Sequence, residues 1–313
     1  MIAIRLLALL SSCAILSPQT PAPGTALEPR PVMQEIPGMG MPFWPVTRQI
    51  GYGPCDPNRQ HTFGDVDGDG DVDVVAGNTY VHPPRLFLSD GHGRLSEVTL
   101  THIPAIPSWV NSWRTCLGDI DGDGDLDLVA GTEGLNPPPR WLQGIVLVND
   151  GSGRFVDESS QRLPLYAGYP YHLNDVTAMA DFDSDGDVDL VLGGGRTQAL
   201  YDRSIRLLRN DGTGYFTFDP AATPIDQGRS ASFSGELFEA DLDGDGDVDL
   251  AGNCLFGGVA LWLNDGTGRF VDAKGTHVHP QPQGQTSGVR AGDLDGDDDL
   301  DLVVTLPYVV QPP

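Results

Sequence analysis

Asp65 to Asp73 reads DVDGDGDVD, and the string returns four more times with small changes. Asp119 to Asp127 is DIDGDGDLD, Asp181 to Asp189 DFDSDGDVD, Asp241 to Asp249 DLDGDGDVD and Asp293 to Asp301 DLDGDDDLD, with starts 54, 62, 60 and 52 residues apart. A second pattern keeps step with the first. Ser89 to Gly93, Asn149 to Gly153, Asn210 to Gly214 and Asn264 to Gly268 are Gly-containing turns, each following its acidic string. Two fixed turns per unit at this period mark a propeller or solenoid, in which one unit cannot cover its own apolar face and neighbours must stack.

Between the fixed turns the apolar runs are short and bounded by turn residues, as in Val176–Ala180 before an acidic string and Leu190–Leu192 after it. Such runs are strands, and Asp-Gly between apolar runs is a strong hairpin signal, as between Ile205–Arg209 and Tyr215–Phe218. The reading is all-β: four-stranded antiparallel blades with repeats at about 61–97, 113–157, 175–219, 235–272 and 289–306. In a four-stranded meander the acidic loop and the Gly turn fall on one face. The variable connections 77–85, 131–144, 193–204 and 252–258 fall on the other. The fifth unit has two strands before Pro313, so about five blades are expected, in a closed five-bladed ring or as part of a seven-bladed one. Phe43 to Tyr52, with Pro31 to Ile36, is the candidate for completing the last blade.

Composition supports this outline. The 313 residues suffice for one large domain, and 40 Gly with 26 Pro, about a fifth of the chain against a usual share near 12%, call for frequent turns. With 18 Lys+Arg against 44 Asp+Glu the formal charge is -26, which repels a phosphate backbone and excludes nucleic acid as a partner. No apolar stretch reaches the roughly 20 residues of a membrane-spanning helix, so no transmembrane helix is expected.

Five carboxylates in nine residues repel one another at about 4 kcal/mol per close pair at an effective dielectric of 20, so a multivalent cation is needed to neutralise them. All-oxygen ligation with a flexible ligand number suits Ca2+ better than Mg2+. With the first Asp as position 1, side-chain oxygens are expected from positions 1, 3, 5 and 9 and a backbone carbonyl from position 7. The candidates are Asp65, Asp67, Asp69, Asp71 and Asp73; Asp119, Asp121, Asp123, Asp125 and Asp127; Asp181, Asp183, Asp185, Asp187 and Asp189; Asp241, Asp243, Asp245, Asp247 and Asp249; and Asp293, Asp295, Asp297, Asp299 and Asp301. An EF-hand is excluded, because its position 12 must be Glu and here it is Ala76, Ala130, Leu192, Gly252 or Val304. Asp298 stands where the other loops have Gly, which weakens the fifth site.

The combination DxDxDGxxD between strands, followed by DLVxG and LxxNDGTGxF, resembles the FG-GAP/VCBS repeat family over about His61 to Val304. The resemblance implies calcium-binding β-propeller blades, as in the integrin α-subunit head, with structural Ca2+ at up to five loops, position 7 contributing its carbonyl.

At the N-terminus, Arg5 followed by Leu6–Leu10 and Ala14–Leu16 reads as an export signal over 1–26. Residues 27–42 then form a Pro/Gly-rich tether and 43–313 the propeller. Leu10-Ser11-Ser12-Cys13 resembles a lipobox, which would make Cys13 a lipid anchor; ordinary cleavage near Ala26 is the alternative. The chain is thus read as secreted or cell-surface. Cys55, Cys116 and Cys254 have no metal-ligand spacing, and an odd number cannot all pair.

The variable loops set Arg beside aromatics: Trp113 and Arg114, Arg140 and Trp141, Tyr201 and Arg203, with Tyr169 and His172. That composition suits a carbohydrate or protein ligand, and also packing between blades. The function expected is an exported ligand-binding or adhesion module. The alternatives are a carbohydrate-active enzyme of lyase or dehydratase type, with His172, His277 and His279 as isolated candidates, and a purely structural surface protein.

Overall fold

In the computed structural model the described residues are 6–10, 61–77, 84–106, 111–133, 144–164, 176–193, 206–220, 233–254, 258–273, 288–297 and 299–306. They form five sheets. The first blade is β2 (His61–Gly64), β3 (Asp73–Ala76), β4 (Arg85–Ser89) and β5 (Leu95–Glu97). The second is β6 (Asn111–Gly118), β7 (Asp127–Glu133), β8 (Gly144–Asn149) and β9 (Phe155–Asp157). The third is β10 (Val176–Ala180), β11 (Asp189–Gly193), β12 (Arg206–Asn210) and β13 (Phe216–Phe218). The fourth is β14 (Phe233–Ala240), β15 (Asp249–Cys254), β16 (Val259–Asn264) and β17 (Phe270–Asp272). Each of these four is an antiparallel meander in sequence order. The fifth sheet pairs β18 (Gly288–Gly292) with β19 (Asp301–Leu306), and β1 (Leu6–Leu10) lies parallel along the far side of β19, where the other blades place an antiparallel third strand. The expected completing segments Pro31–Ile36 and Phe43–Tyr52 lie outside the described residues. Two four-residue helices, α1 (Thr99–His102) and α2 (Ser159–Arg162), follow the first and second blades.

The strands do not alternate apolar with polar, because both faces of an internal blade are covered. β3 is buried at all four residues and β8 at all but one. Each pair of consecutive blades encloses its own core. Between the first and second lie Val66, Val75 and Leu86 against Leu128, Ala130 and Leu147. Between the third and fourth lie Phe182, Val191 and Leu207 against Leu250, Ala260 and Trp262, with Phe270 edge-on to Phe182 at 5.6 Å.

One fully buried residue in each core comes from the acidic string itself. Val66, Ile120, Phe182 and Leu242, the second letters of the first four strings, are 1%, 1%, 0% and 2% exposed. The string is therefore a turn and also an anchor, its apolar second residue inserted between blades while all of its carboxylates but the last stay nearer the rim. Burial of such a side chain stabilises by about 1.5–3 kcal/mol.

Candidate metal centres

Each acidic loop leaves the end of a blade's first strand and returns into its second. The position-1 carboxylate accepts hydrogen bonds from amides inside the turn: Asp65 Oδ2 from Gly70 at 2.9 Å, Asp119 Oδ2 from Gly124 at 3.0 Å, Asp181 Oδ2 from Gly186 at 3.0 Å and Asp241 Oδ2 from Gly246 at 3.1 Å. Position 9 opens the second strand and is almost fully enclosed. Asp73 accepts from the Val66 amide at 2.9 Å and from the Ser89 amide at 2.8 Å, and Asp249 from Leu242 at 2.8 Å and Asn264 at 2.7 Å. Through this carboxylate the acidic loop is tied to the head of the Gly turn in the same blade.

Oxygens from positions 1, 3 and 9 converge. Asp65, Asp67 and Asp73 bring ligand atoms within 4.8 Å of one another, as do Asp119, Asp121 and Asp127; Asp181, Asp183 and Asp189; and Asp241, Asp243 and Asp249. Several of these oxygens are buried and unpartnered: Asp65 Oδ1, Asp121 Oδ1, Asp183 Oδ1 and Asp243 Oδ1. A buried carboxylate oxygen without a donor is costly unless a cation meets it, so the donor set fits a hard divalent ion.

Burial pushes the position-9 carboxyls well up from 3.8, to about 7 for Asp127 and Asp189 and about 6 for Asp249, against the pull of the backbone amides that they accept from. Asp73 is raised for the same reason. Asp67 and Asp243 are also raised, first by burial and then by the charges of Asp69 and Asp245. Both shifts are what a cation would reverse.

The remaining acidic positions take other places. Position 5 is outside the four clusters and caps position 7: the amides of Asp71, Asp125, Asp187 and Asp247 donate to Asp69, Asp123, Asp185 and Asp245 at 2.9, 3.0, 3.0 and 3.0 Å. The position-7 carboxylates of Asp71, Asp125, Asp187 and Asp247 lie against Gly91, Gly151, Gly212 and Gly266, where any Cβ would collide with them. The acidic loop and the Gly turn therefore meet on one face. In the fifth loop the cluster is Asp293, Asp295 and Asp297, all exposed; Asp301 is buried but outside it, Asp299 caps back onto Asp297 at 3.2 Å, and Asp298 lies outside the described residues.

At position 4 the third loop has Ser184 at φ 59°, while Gly68, Gly122, Gly244 and Gly296 hold φ between 72° and 78°. A side chain there carries a steric cost that Gly avoids. Ser184→Gly is expected to stabilise the protein by about 0.5–1 kcal/mol in denaturant unfolding; a loss of stability would show that the hydroxyl contributes more than the backbone strain costs.

Two sets of residues to which the sequence assigned no contact between blades are structural here. Asn149, Asn210 and Asn264 open the Gly turns, and each donates its amide across to the preceding blade: to the carbonyls of Val66 at 2.7 Å, Ile120 at 2.7 Å and Phe182 at 2.8 Å. The same amides also donate to Leu126, Val188 and Val248 in their own blades, at 3.1, 3.0 and 3.1 Å. The sequence signal is the Asn that heads three of the four turns, Ser89 being the exception. Arg162 donates to Asp121 at 3.0 Å, Glu158 at 2.7 Å and the Thr213 carbonyl of the next blade at 2.7 Å. Arg209 pairs with Asp183 and Asp219 and reaches the Thr267 carbonyl at 2.6 Å. A guanidinium thus orients the position-3 carboxylate in the second and third loops.

Of the aromatic and Arg candidates, Arg140, Trp141, Tyr169, His172, Tyr201 and Arg203 lie outside the described residues, as do His277, His279, Cys13 and Cys55. Trp113 belongs to β6, and Arg114 beside it is 4% exposed. Cys116 is unbridged and half-buried; burial, then the charge of Glu239, holds its thiol well above the usual range.

Comparison with known proteins gives the same repeat. Phosphatidylinositol-glycan-specific phospholipase D from Mus musculus is 26% identical over 164 residues, 50% of this chain and 20% of that protein. The Rattus norvegicus protein of the same name is 25% identical over 166 residues, with the same coverage. The chain spans about a fifth of the length of these relatives. A solved structure, described as the structural basis of specific recognition of non-reducing terminal N-acetylglucosamine by an Agrocybe aegerita lectin, covers 79% of this chain and 60% of its own at 22% identity and a TM-score of 0.47. The model of the FG-GAP-like repeat matches residues 65–130, 181–252 and 241–304, more than half of the chain. With the blades and their acidic loops, this places the chain in the FG-GAP-like repeat family.

Proposed function

We propose that this is an exported, calcium-binding β-propeller that serves as a surface or extracellular ligand-binding module, with calcium in a structural role. The supporting observation is the convergence of positions 1, 3 and 9 around buried, unpartnered carboxylate oxygens in successive loops. Asp65, Asp67 and Asp73 and their equivalents would hold the ion, joined by the position-7 carbonyl; position 5 would have to exchange its capping bond for ligation. Calcium supplies charge neutralisation, and the protein supplies a loop already fastened to its own blade by position 9 and to the next by Asn.

That division of labour leaves the variable face for a carbohydrate or protein ligand. On this reading residues 1–26 are a leader and 27–42 a tether. The leader and strand β1 claim the same residues, Leu6–Leu10, and sequencing the N-terminus of the exported protein decides between them.

Calorimetric titration of the purified protein with calcium is expected to show uptake at four or five sites, and no uptake would remove the metal half of the proposal. Glycan-array binding that survives His172→Ala, His277→Ala and His279→Ala is expected of a binding module. Substrate turnover lost with His172→Ala would overturn the binding half in favour of an enzyme.

A further inference from the structure

The second and third loops hold a cation of the chain's own beside the cage. Arg162 ends the short helix α2 and is 8% exposed. Its guanidinium donates to Asp121 Oδ2, position 3 of the second loop, at 3.0 Å, to Glu158 at 2.7 Å and to the Thr213 carbonyl in the Gly turn of the third blade at 2.7 Å. Arg209 comes from a different part of its unit, strand β12, and finds the same three kinds of partner. It pairs with Asp183, position 3 of the third loop, and with Asp219 at 2.8 Å, and donates to the Thr267 carbonyl in the Gly turn of the fourth blade at 2.6 Å. In both loops the guanidinium takes one oxygen of the position-3 carboxylate, while the other, Asp121 Oδ1 or Asp183 Oδ1, is buried and unpartnered.

The first loop is built differently at this point. Helix α1 ends in His102 where α2 ends in Arg162, and β4 has Leu88 where β12 has Arg209. His102 and Leu88 stand at the seat of the guanidinium. A Cβ on Gly153 would lie 3.3 Å from the Cβ of Asp67 and 3.7 Å from both His102 and Leu88, just as one on Gly214 would lie 3.3 Å from the Cβ of Asp121 and collide with Arg162. The His102 Nδ1 is engaged with the Thr101 hydroxyl at 2.8 Å. Among the described residues Asp67 makes no ion pair, and its carboxylate accepts the Asp69 amide at 3.3 Å.

We propose that Arg162 and Arg209 are built-in counterions that set the calcium dependence of the array. They keep the second and third loops fastened to the next blade without the ion and weaken its binding there, whereas the first loop relies on calcium and takes it up before those two. The inference rests on the calcium reading given above. A unit positive charge about 6 Å from a divalent ion in a water-like dielectric weakens its binding about tenfold. Each guanidinium is shared with a second carboxylate, Glu158 or Asp219, so about fivefold is expected here.

Scanning calorimetry of the full chain in chelator and in about 10 mM calcium tests the proposal. Arg162→Gln is expected to lower the melting temperature by about 10 °C in chelator and by about a third less in calcium, because the ion then replaces the lost charge. Arg209→Gln should behave alike. His102→Arg supplies the missing guanidinium to the first loop and is expected to do the reverse, raising the melting temperature in chelator by about 2–4 °C and narrowing the gap that calcium opens. An equal loss in both conditions for the Gln variants would make the arginines plain bridges between blades, and a larger loss in calcium would make them supports for a calcium ligand; either result overturns the inference. So does a His102→Arg protein whose calcium gap is unchanged or wider. If instead the wild type melts at one temperature with and without calcium, the calcium reading itself falls and takes the inference with it.

Discussion

Chelation of calcium is expected to lower the melting temperature by about 20 °C at neutral pH. Sites of the affinity common in extracellular calcium modules, about 10⁻⁴ to 10⁻³ M, each stabilise the fold by about 1.4–2.7 kcal/mol at 10 mM calcium. Four equivalent cages then contribute about 6–11 kcal/mol, and each kcal/mol moves the melting point of a domain this size by about 2–4 °C.

The effect has a definite pH dependence. In chelator the folded Asp127 and Asp189 carboxyls bind protons up to about 7 and Asp249 up to about 6, while the unfolded chain releases them near 3.8. The folded state therefore holds more protons across that window, so cation-free stability falls as pH rises from about 4 through about 7. Calcium displaces those protons, so its stabilisation grows over the same interval. Scanning calorimetry with and without chelator at about pH 5 and pH 8 checks both points. An equal gap at the two pH values would refute the assignment of the buried position-9 carboxylates to the cage.

Asn210→Ala is expected to destabilise by about 3–5 kcal/mol, out of proportion to its size. Asn210 is buried, and its amide donates to Ile120 and Val188 while its carbonyl accepts from Gly212 and Gly214. Truncation strands two buried carbonyls and two turn amides. Asn210→Ser keeps the turn bond that Ser89 makes and is expected to cost about half as much. Asn210→Asp retains the acceptor, loses both donated bonds and sets a charge beside Asp189, so it should be at least as damaging as Ala. Urea denaturation of the three variants checks the order; Asp milder than Ala would count against the tie between blades.

Much of the architecture was legible because the strings are near copies. DxDGDGDxD fixed the unit, and the apolar runs after each string are the observed second strands, as at Asp189–Gly193. The finer roles were not legible, because they depend on which residues meet across blades. Phe182 in DFDSDGDVD looks like a spacer between two ligands, yet it fills the core between the third and fourth blades. Asn264 heads a turn in the sequence, and its carbonyl partner Phe182 is 82 residues away. Asp69 and Asp73 are the same residue type four positions apart. One caps an amide in solvent, and the other is buried between two strands. Only the chain's path distinguishes them. Ser184 escaped notice because its consequence is a backbone angle.

The Asn tie also gives the array a direction in time. Val66, Ile120 and Phe182 wait for amides that arrive 83, 90 and 82 residues later, so each of these three loops, though held to its own blade, lacks its tie to the following blade until that blade has emerged. A chain emerging from synthesis is therefore expected to mature vectorially, each finished blade locking the one made before it and leaving the most recently formed loop the loosest.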